Sequence, residues 1–213
     1  MNQPTLLKSA ALFISAYLAL LALSLYFGSE YVGFLLPLYR WEIGHLTQDY
    51  YIQSLVLGDS RGEDVVALSL VTRYFVVGSH VIQPGISISC STLLGHALQH
   101  PLLMLSLAIA WPASSLSQRI LRLACALPFL LLVELFDIPL VLLGSTQDLI
   151  IANAAPGTGS LMVDWMNFMN GGGRLALSLA GGIAAIGCSH LLPGQRKQDL
   201  LKRASGLRGK KKK

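Results

Sequence analysis

Two carboxylates stand in an otherwise apolar run of this sequence. Glu134 and Asp137, in LLLVELFDIPLVLLG, are three residues apart, so a helix places both on one side, and Pro139 frees a backbone carbonyl close by. A carboxylate at mid-membrane costs about 2.5 to 3.5 kcal/mol on insertion scales, so it must face a partner, face a water-filled cavity, or carry a proton. That leaves three readings. The pair serves as a proton or ion relay in a small coupled channel or transporter, or it contacts a basic residue of another subunit. In the third, it is packing: Asp137 sits near the outer interface and Glu134 binds a hydroxyl, His96 or His100.

A second group falls within eleven residues: Cys90, His96 and His100. The two histidines share a helical face if the helix has begun by His96. A thiol beside an imidazole is the minimum for a cysteine nucleophile, because the base lowers the cost of the thiolate. This is the basis of an alternative reading as a membrane cysteine peptidase or transpeptidase. No acid or arginine is fixed beside the three by spacing, and one Cys with two His is an incomplete zinc set. The simpler reading is a packed cysteine with histidines hydrogen bonding at an interface, and no metal or cofactor is expected. The chain also lacks GxxxxGK[ST], HExxH, a CxxC pair and GxSxG, so nucleotide hydrolysis, zincin and hydrolase chemistry miss their required residues.

The elements that position these groups are apolar. Of 213 residues, 53% are hydrophobic and 13% charged, about half the charged fraction of an ordinary soluble domain. A bilayer core about 30 Å thick needs roughly 20 apolar residues of helix. Four segments come close: Ser9 to Gly28, Leu93 to Trp111 (strongly apolar only after Pro101), Ile120 to Leu143, and Leu175 to Leu192. The first is read as an uncleaved anchor, since it is long for a signal peptide and lacks a small-residue cleavage site. The expected class is therefore a mainly α membrane protein of four transmembrane helices with a small β-rich extracytoplasmic segment between helices 1 and 2. Its organisation is residues 1–28 (tail and first span), 29–92 (β-rich outer segment), 93–193 (three further spans with an outer loop at 144–173) and 194–213 (basic tail).

Lys and Arg in short flanks mark the cytoplasmic side. Lys8, Arg119, Arg122 and the tail share one face if both termini are inside, which leaves Arg174 as the only cation of the second outer segment. Tyr31 to Leu46 mixes aromatics, Pro37 and charges and suits a segment lying along the outer interface. Tyr50 to Leu57 and Asp64 to Val77 flank the turn GDSRGE and read as a hairpin, with a further strand at Ile86 to Cys90. This outer part is at the lower limit for folding alone and is expected to lean on the membrane or a partner. In the last span Ala176, Ala180, Ala184 and Cys188, with Gly181 and Gly182, repeat every four residues. They offer close helix packing, within the bundle or between copies. Three cysteines cannot all pair, and no structural disulfide is expected. The tail carries Arg196, Lys197, Lys202, Arg203, Lys210, Lys211, Lys212 and Lys213, suited to anionic lipid headgroups at the inner face. No aromatic interleaving supports nucleic acid as a partner.

The order of features around PGISISCSTLLGHALQHPLLMLSLAIAWP (Pro84 to Pro112) resembles the small membrane proteins that accompany exosortases, in particular the exosortase H associated type. Those are similar in having a leading span, an outer strand-rich segment, a polar entry into a second span, and further spans behind. The resemblance implies an accessory role in the sorting of exported proteins in a Gram-negative inner membrane, with the exosortase as partner. Exosortases themselves use a cysteine, an arginine and a histidine at the outer face. Here Cys90 is followed by Ser91 and Thr92 rather than serine and glycine, and the expected arginine is missing, so the resemblance implies an assistant and not the transpeptidase.

Overall fold

The computed structural model describes residues 3–113 and 115–191; the basic tail lies outside them. The chain is mainly helical. Helix α1 (Gln3–Leu46) leads into strands β1 (Tyr50–Ser60) and β2 (Glu63–Thr72). A small ribbon of β3 (Phe75–Val77) and β4 (His80–Ile82) then precedes β5 (Ser87–Leu93). Helix α2 (Leu94–Ala110) follows directly, then α3 (Leu116–Ala154), α4 (Leu161–Phe168), a π turn at Met169–Gly173, and α5 (Arg174–Leu191).

Among the described residues three helical stretches are long and apolar enough to cross a membrane: Leu6–Leu46, Leu116–Ala154 and Leu161–Leu191. The expected span at Leu93 to Trp111 is a shorter apolar helix, α2, whose 17 residues rise about 26 Å. Pro101 sits inside it without ending it.

The interfacial reading of Tyr31 to Leu46 is overturned. These residues continue α1 through Pro37 as one helix of 44 residues, about 66 Å long. The reason is a buried stripe at helical spacing, Val32, Leu35, Tyr39 and Ile43, which packs into the larger core. The burial of that face outweighs the cost of the proline. Helix α3 is likewise longer than expected, with 39 residues reaching Ala154, so much of the second outer loop is helix.

The sheet has the order β1-β2-β5, antiparallel throughout. The β1-β2 hairpin turns at Arg61 and Gly62, whose φ of 58° and 82° place both in the left-handed region and suit a tight hairpin turn. Val66, Leu68 and Leu70 alternate inward along β2 and meet Val32, Leu35, Tyr39 and Ile43 of α1 together with Ile138, Leu142, Leu143 and Ile150 of α3. The sheet therefore leans on this chain's own helices.

Below that core, α1, α2, α3 and α5 form a helical half with a separate small cluster of Met104, Leu130 and Val133. Gly181 and Gly182 lie where an added Cβ would stand 2.9 Å from Met104 Cε and Leu107 Cδ2, so α5 approaches α2 closely at these two positions. The alanines of the expected stripe do not share this role: Ala176 and Ala180 are exposed, Ala184 and Cys188 are half-buried, and the packed face is Arg174, Ser178, Gly181, Gly182, Ala185, Ile186 and Ser189.

Arg122, expected with the inner-face cations, is fully buried. Its guanidinium donates to the carbonyls of Ala108, Trp111 and Pro112 at 2.7–3.1 Å, which satisfies the end of α2 and ties it to α3.

Candidate functional site

The carboxylates of α3 sit where the helical half meets the sheet-bearing half, and each finds its partners inside this chain. Glu134 accepts one hydrogen bond at each oxygen, from Tyr31 at 2.9 Å and from Tyr39 at 2.6 Å. Both tyrosines belong to the part of α1 that continues past the apolar run, so the length of α1 is what delivers them. Two phenol donors satisfy a fully buried carboxylate without a cation.

Asp137, one turn further, works differently. Its Oδ2 accepts from Arg174 Nε at 2.7 Å and faces His100 Nε2 at 2.8 Å. Arg174 also donates from Nη1 to Asn170 Oδ1 at 2.8 Å, across the π turn that joins α4 to α5. His100 Nδ1 lies 2.7 Å from Ser178 Oγ, and the Ser178 hydroxyl donates to the Arg174 carbonyl at 2.7 Å. Three helices, α2, α3 and α5, thus meet at one carboxylate, and Arg174 ties the turn before α5 to them.

Proton bookkeeping constrains this set. Because the Ser178 proton points at the Arg174 carbonyl, Ser178 Oγ accepts from His100 and Nδ1 carries a hydrogen. A second proton then lies between His100 Nε2 and Asp137 Oδ2. The order serine, histidine, aspartate resembles a nucleophile, base and orienting acid, but Ser178 is fully buried and its proton is committed to a carbonyl. The arrangement can hold a proton and fasten four elements; it does not present a nucleophile.

Asp137 Oδ1 and Arg174 Nη2 are buried and without a hydrogen-bond partner. Each unpaired polar atom costs stability, and here two of them belong to one ion pair.

The cysteine and histidine group is split apart. Helix α2 begins at Leu94, so His96 and His100 do share its start, yet they serve different partners. His96 Nδ1 pairs with Thr92 Oγ1 at 2.9 Å, while His100 belongs to Asp137. Cys90 has neither. Its thiol lies 3.3 Å from the Leu142 carbonyl and 3.3 Å from Thr146 Oγ1 on α3. Burial pushes the Cys90 thiol up from its usual range, only partly offset by the Thr146 hydroxyl, which is opposite to what a nucleophile needs. Cys125 and Cys188 are free thiols facing each other between α3 and α5.

Comparison with protein-family models, with curated proteins and with solved structures finds no match to this chain. The site must be read from its own geometry.

Of the residues singled out from sequence, Glu134, Asp137 and His100 come together, His96 lies at the edge of the set, and Cys90 is outside it. Tyr31, Tyr39, Asn170, Arg174 and Ser178 were not foreseen as members. One signal was available for Arg174: two intramembrane carboxylates need a cation, and it is the lone cation of its segment. Among the described residues no group of three or more His, Cys, Asp and Glu side chains is arranged to hold a metal ion.

Proposed function

We propose that this chain is a non-catalytic accessory or assembly protein of a bacterial inner membrane, crossing it four times with both termini inside and working by lateral association with another membrane protein. The exosortase-associated resemblance supplies the partner class, an exosortase-type sorting enzyme. Short α2 counts as the fourth span, since 26 Å of apolar helix is close to the hydrocarbon thickness and modest mismatch costs only fractions of a kcal/mol per Å.

One observation carries this reading. The most apolar 18-residue stretch of α1 has 0% of its residues buried within the chain, against 56% for α3. Leu18, Leu23, Leu25, Tyr26 and Phe27 stand outward, so α1 leaves its membrane face to lipid or to a neighbouring helix. Meanwhile the side chains able to do chemistry are spent on internal contacts. Glu134 and Asp137, which could have reached for a basic helix elsewhere, are satisfied by Tyr31, Tyr39, His100 and Arg174.

The test is affinity purification of the tagged protein from crosslinked membranes, followed by mass spectrometry. A stoichiometric membrane enzyme is expected in the eluate, lost when Leu18, Leu23, Leu25, Tyr26 and Phe27 are replaced by other apolar residues that keep insertion. A protein that emerges alone, or a partner retained by that variant, overturns the reading.

A further inference from the structure

The other end of α1 carries a second unexplained surface. Where α1 gives way to β1, a shallow cleft of about 610 Å³ is lined by Arg40, Trp41 and His45 of α1, Tyr51 and Ile52 of β1, and Arg73 just beyond β2. None of the residues lining it is acidic. Among the described residues the ion pairs all involve Asp137, so neither arginine has a carboxylate partner. The Arg73 guanidinium is held over the Tyr51 ring, 3.9 Å from its centroid, yet its Nε is buried without a hydrogen-bond partner. Arg40 makes one long bond, 3.4 Å, to the Ile52 carbonyl. Trp41 is 58% exposed and packs against His45, the rings tilted at 41° with centroids 4.6 Å apart. Two arginines, a histidine and exposed aromatic rings are thus gathered, with Asp49, whose charge acts on Tyr50 in the cleft wall, as the neighbouring carboxylate and in ion-pair contact with neither arginine.

Two further facts narrow the ligand. Trp41 lies thirteen residues past Gly28 on a continuous helix, about 20 Å beyond the end of the charge-free apolar run, which is far for a lipid headgroup. And β1 is an edge strand, paired with β2 on one side only, so its start offers main-chain donors and acceptors within the same cleft. From these we infer that the cleft binds an extended acidic peptide segment. Its backbone pairs with the first residues of β1, and the side chains of one face meet the cleft: carboxylates on Arg40 and Arg73 as planar, charge-assisted contacts, with their methylene stems against Trp41.

The experiment uses the full chain in nanodiscs of zwitterionic lipid and a fluorescein-labelled ten-residue peptide of alternating glutamate and valine, followed by anisotropy. Saturable binding is expected that weakens as salt is raised and that drops at least about tenfold in Arg40→Gln, whose side chain is exposed and whose loss leaves the fold intact. Arg73→Gln is expected to do the same, and Trp41→Ala to weaken binding independently of salt. The glutamine analogue and a peptide N-methylated at alternate residues should both bind at least about tenfold more weakly, separating charge from strand pairing. Equal binding of the glutamine analogue, indifference to Arg40→Gln, or no saturable binding overturns the proposal. So does stronger retention on phosphatidylglycerol vesicles that Arg40→Gln abolishes, which would make the cleft a lipid site.

Discussion

At the scale of single residues, the buried carboxylates are better understood by what they hold than by what they could transform. Asp137 binds α2 through His100 and α5 through Arg174, and removing one member of such a set strands the others in a dry interior. Asp137→Asn is therefore expected to cost about 3–5 kcal/mol, read as loss of folded protein in denaturant titrations in detergent. The double variant Asp137→Leu with Arg174→Met should recover part of that loss, because it removes the charges together. Tyr50, at the start of β1 and outside the spans, gives a pH signature. Burial, with help from the Asp49 charge, pushes its phenol up to about 12. The neutral form is favoured by folding, so this contribution is intact below pH 10 and fades as pH rises from 10 through 12. Alkaline unfolding midpoints should move upward in Tyr50→Phe; an unchanged midpoint would contradict the assignment.

At the scale of elements, period and composition revealed some pieces and concealed others for identifiable reasons. The apolar runs of α1 and α3 and the β1-β2 hairpin were readable because their patterns are local. The upper half of α1 was hidden by Pro37 and by mixed charges, although the stripe Val32, Leu35, Tyr39, Ile43 was there to be seen. The partners of Glu134 were not legible at all, since Tyr31 and Tyr39 lie 103 and 95 residues away and nothing in their own surroundings advertises the contact. Helix α4 is likewise hidden in a segment whose composition reads as loop, and it exists through packing on α3. Its docking depends on Gly144, where an added Cβ would stand 2.5 Å from the Met162 carbonyl oxygen and 2.7 Å from Met166 Cβ. Gly144→Ala should push α4 off α3 and break the bond from Trp165 Nε1 to the Phe136 carbonyl, now 2.7 Å. The expected cost is about 1–3 kcal/mol, with a red shift of tryptophan emission that a Gly58→Ala control, facing open space, does not show.

At the scale of the whole molecule, two long helices couple the membrane half to the sheet. Helices α1 and α3 both run through the level of Glu134 and Asp137, and both supply the core on which β2 closes. A three-stranded sheet of this size, with one face needing cover, buries too little apolar surface by itself to offset the ordering of its chain. The cover comes from Tyr39 and Ile43 on one side and Ile138, Leu142 and Leu143 on the other, all fully or nearly fully buried. An excised segment of residues 47–93 is therefore expected to be unfolded by circular dichroism and amide dispersion, whatever lipid is added. Held in the full chain, the same strands should show slow amide exchange at Val66, Leu68 and Leu70. Loss of that protection in Tyr39→Ala, with the spans still inserted, would place the dependence on α1; a folded excised segment would show instead that the sheet needs neither helix and that the two halves are joined only by the chain.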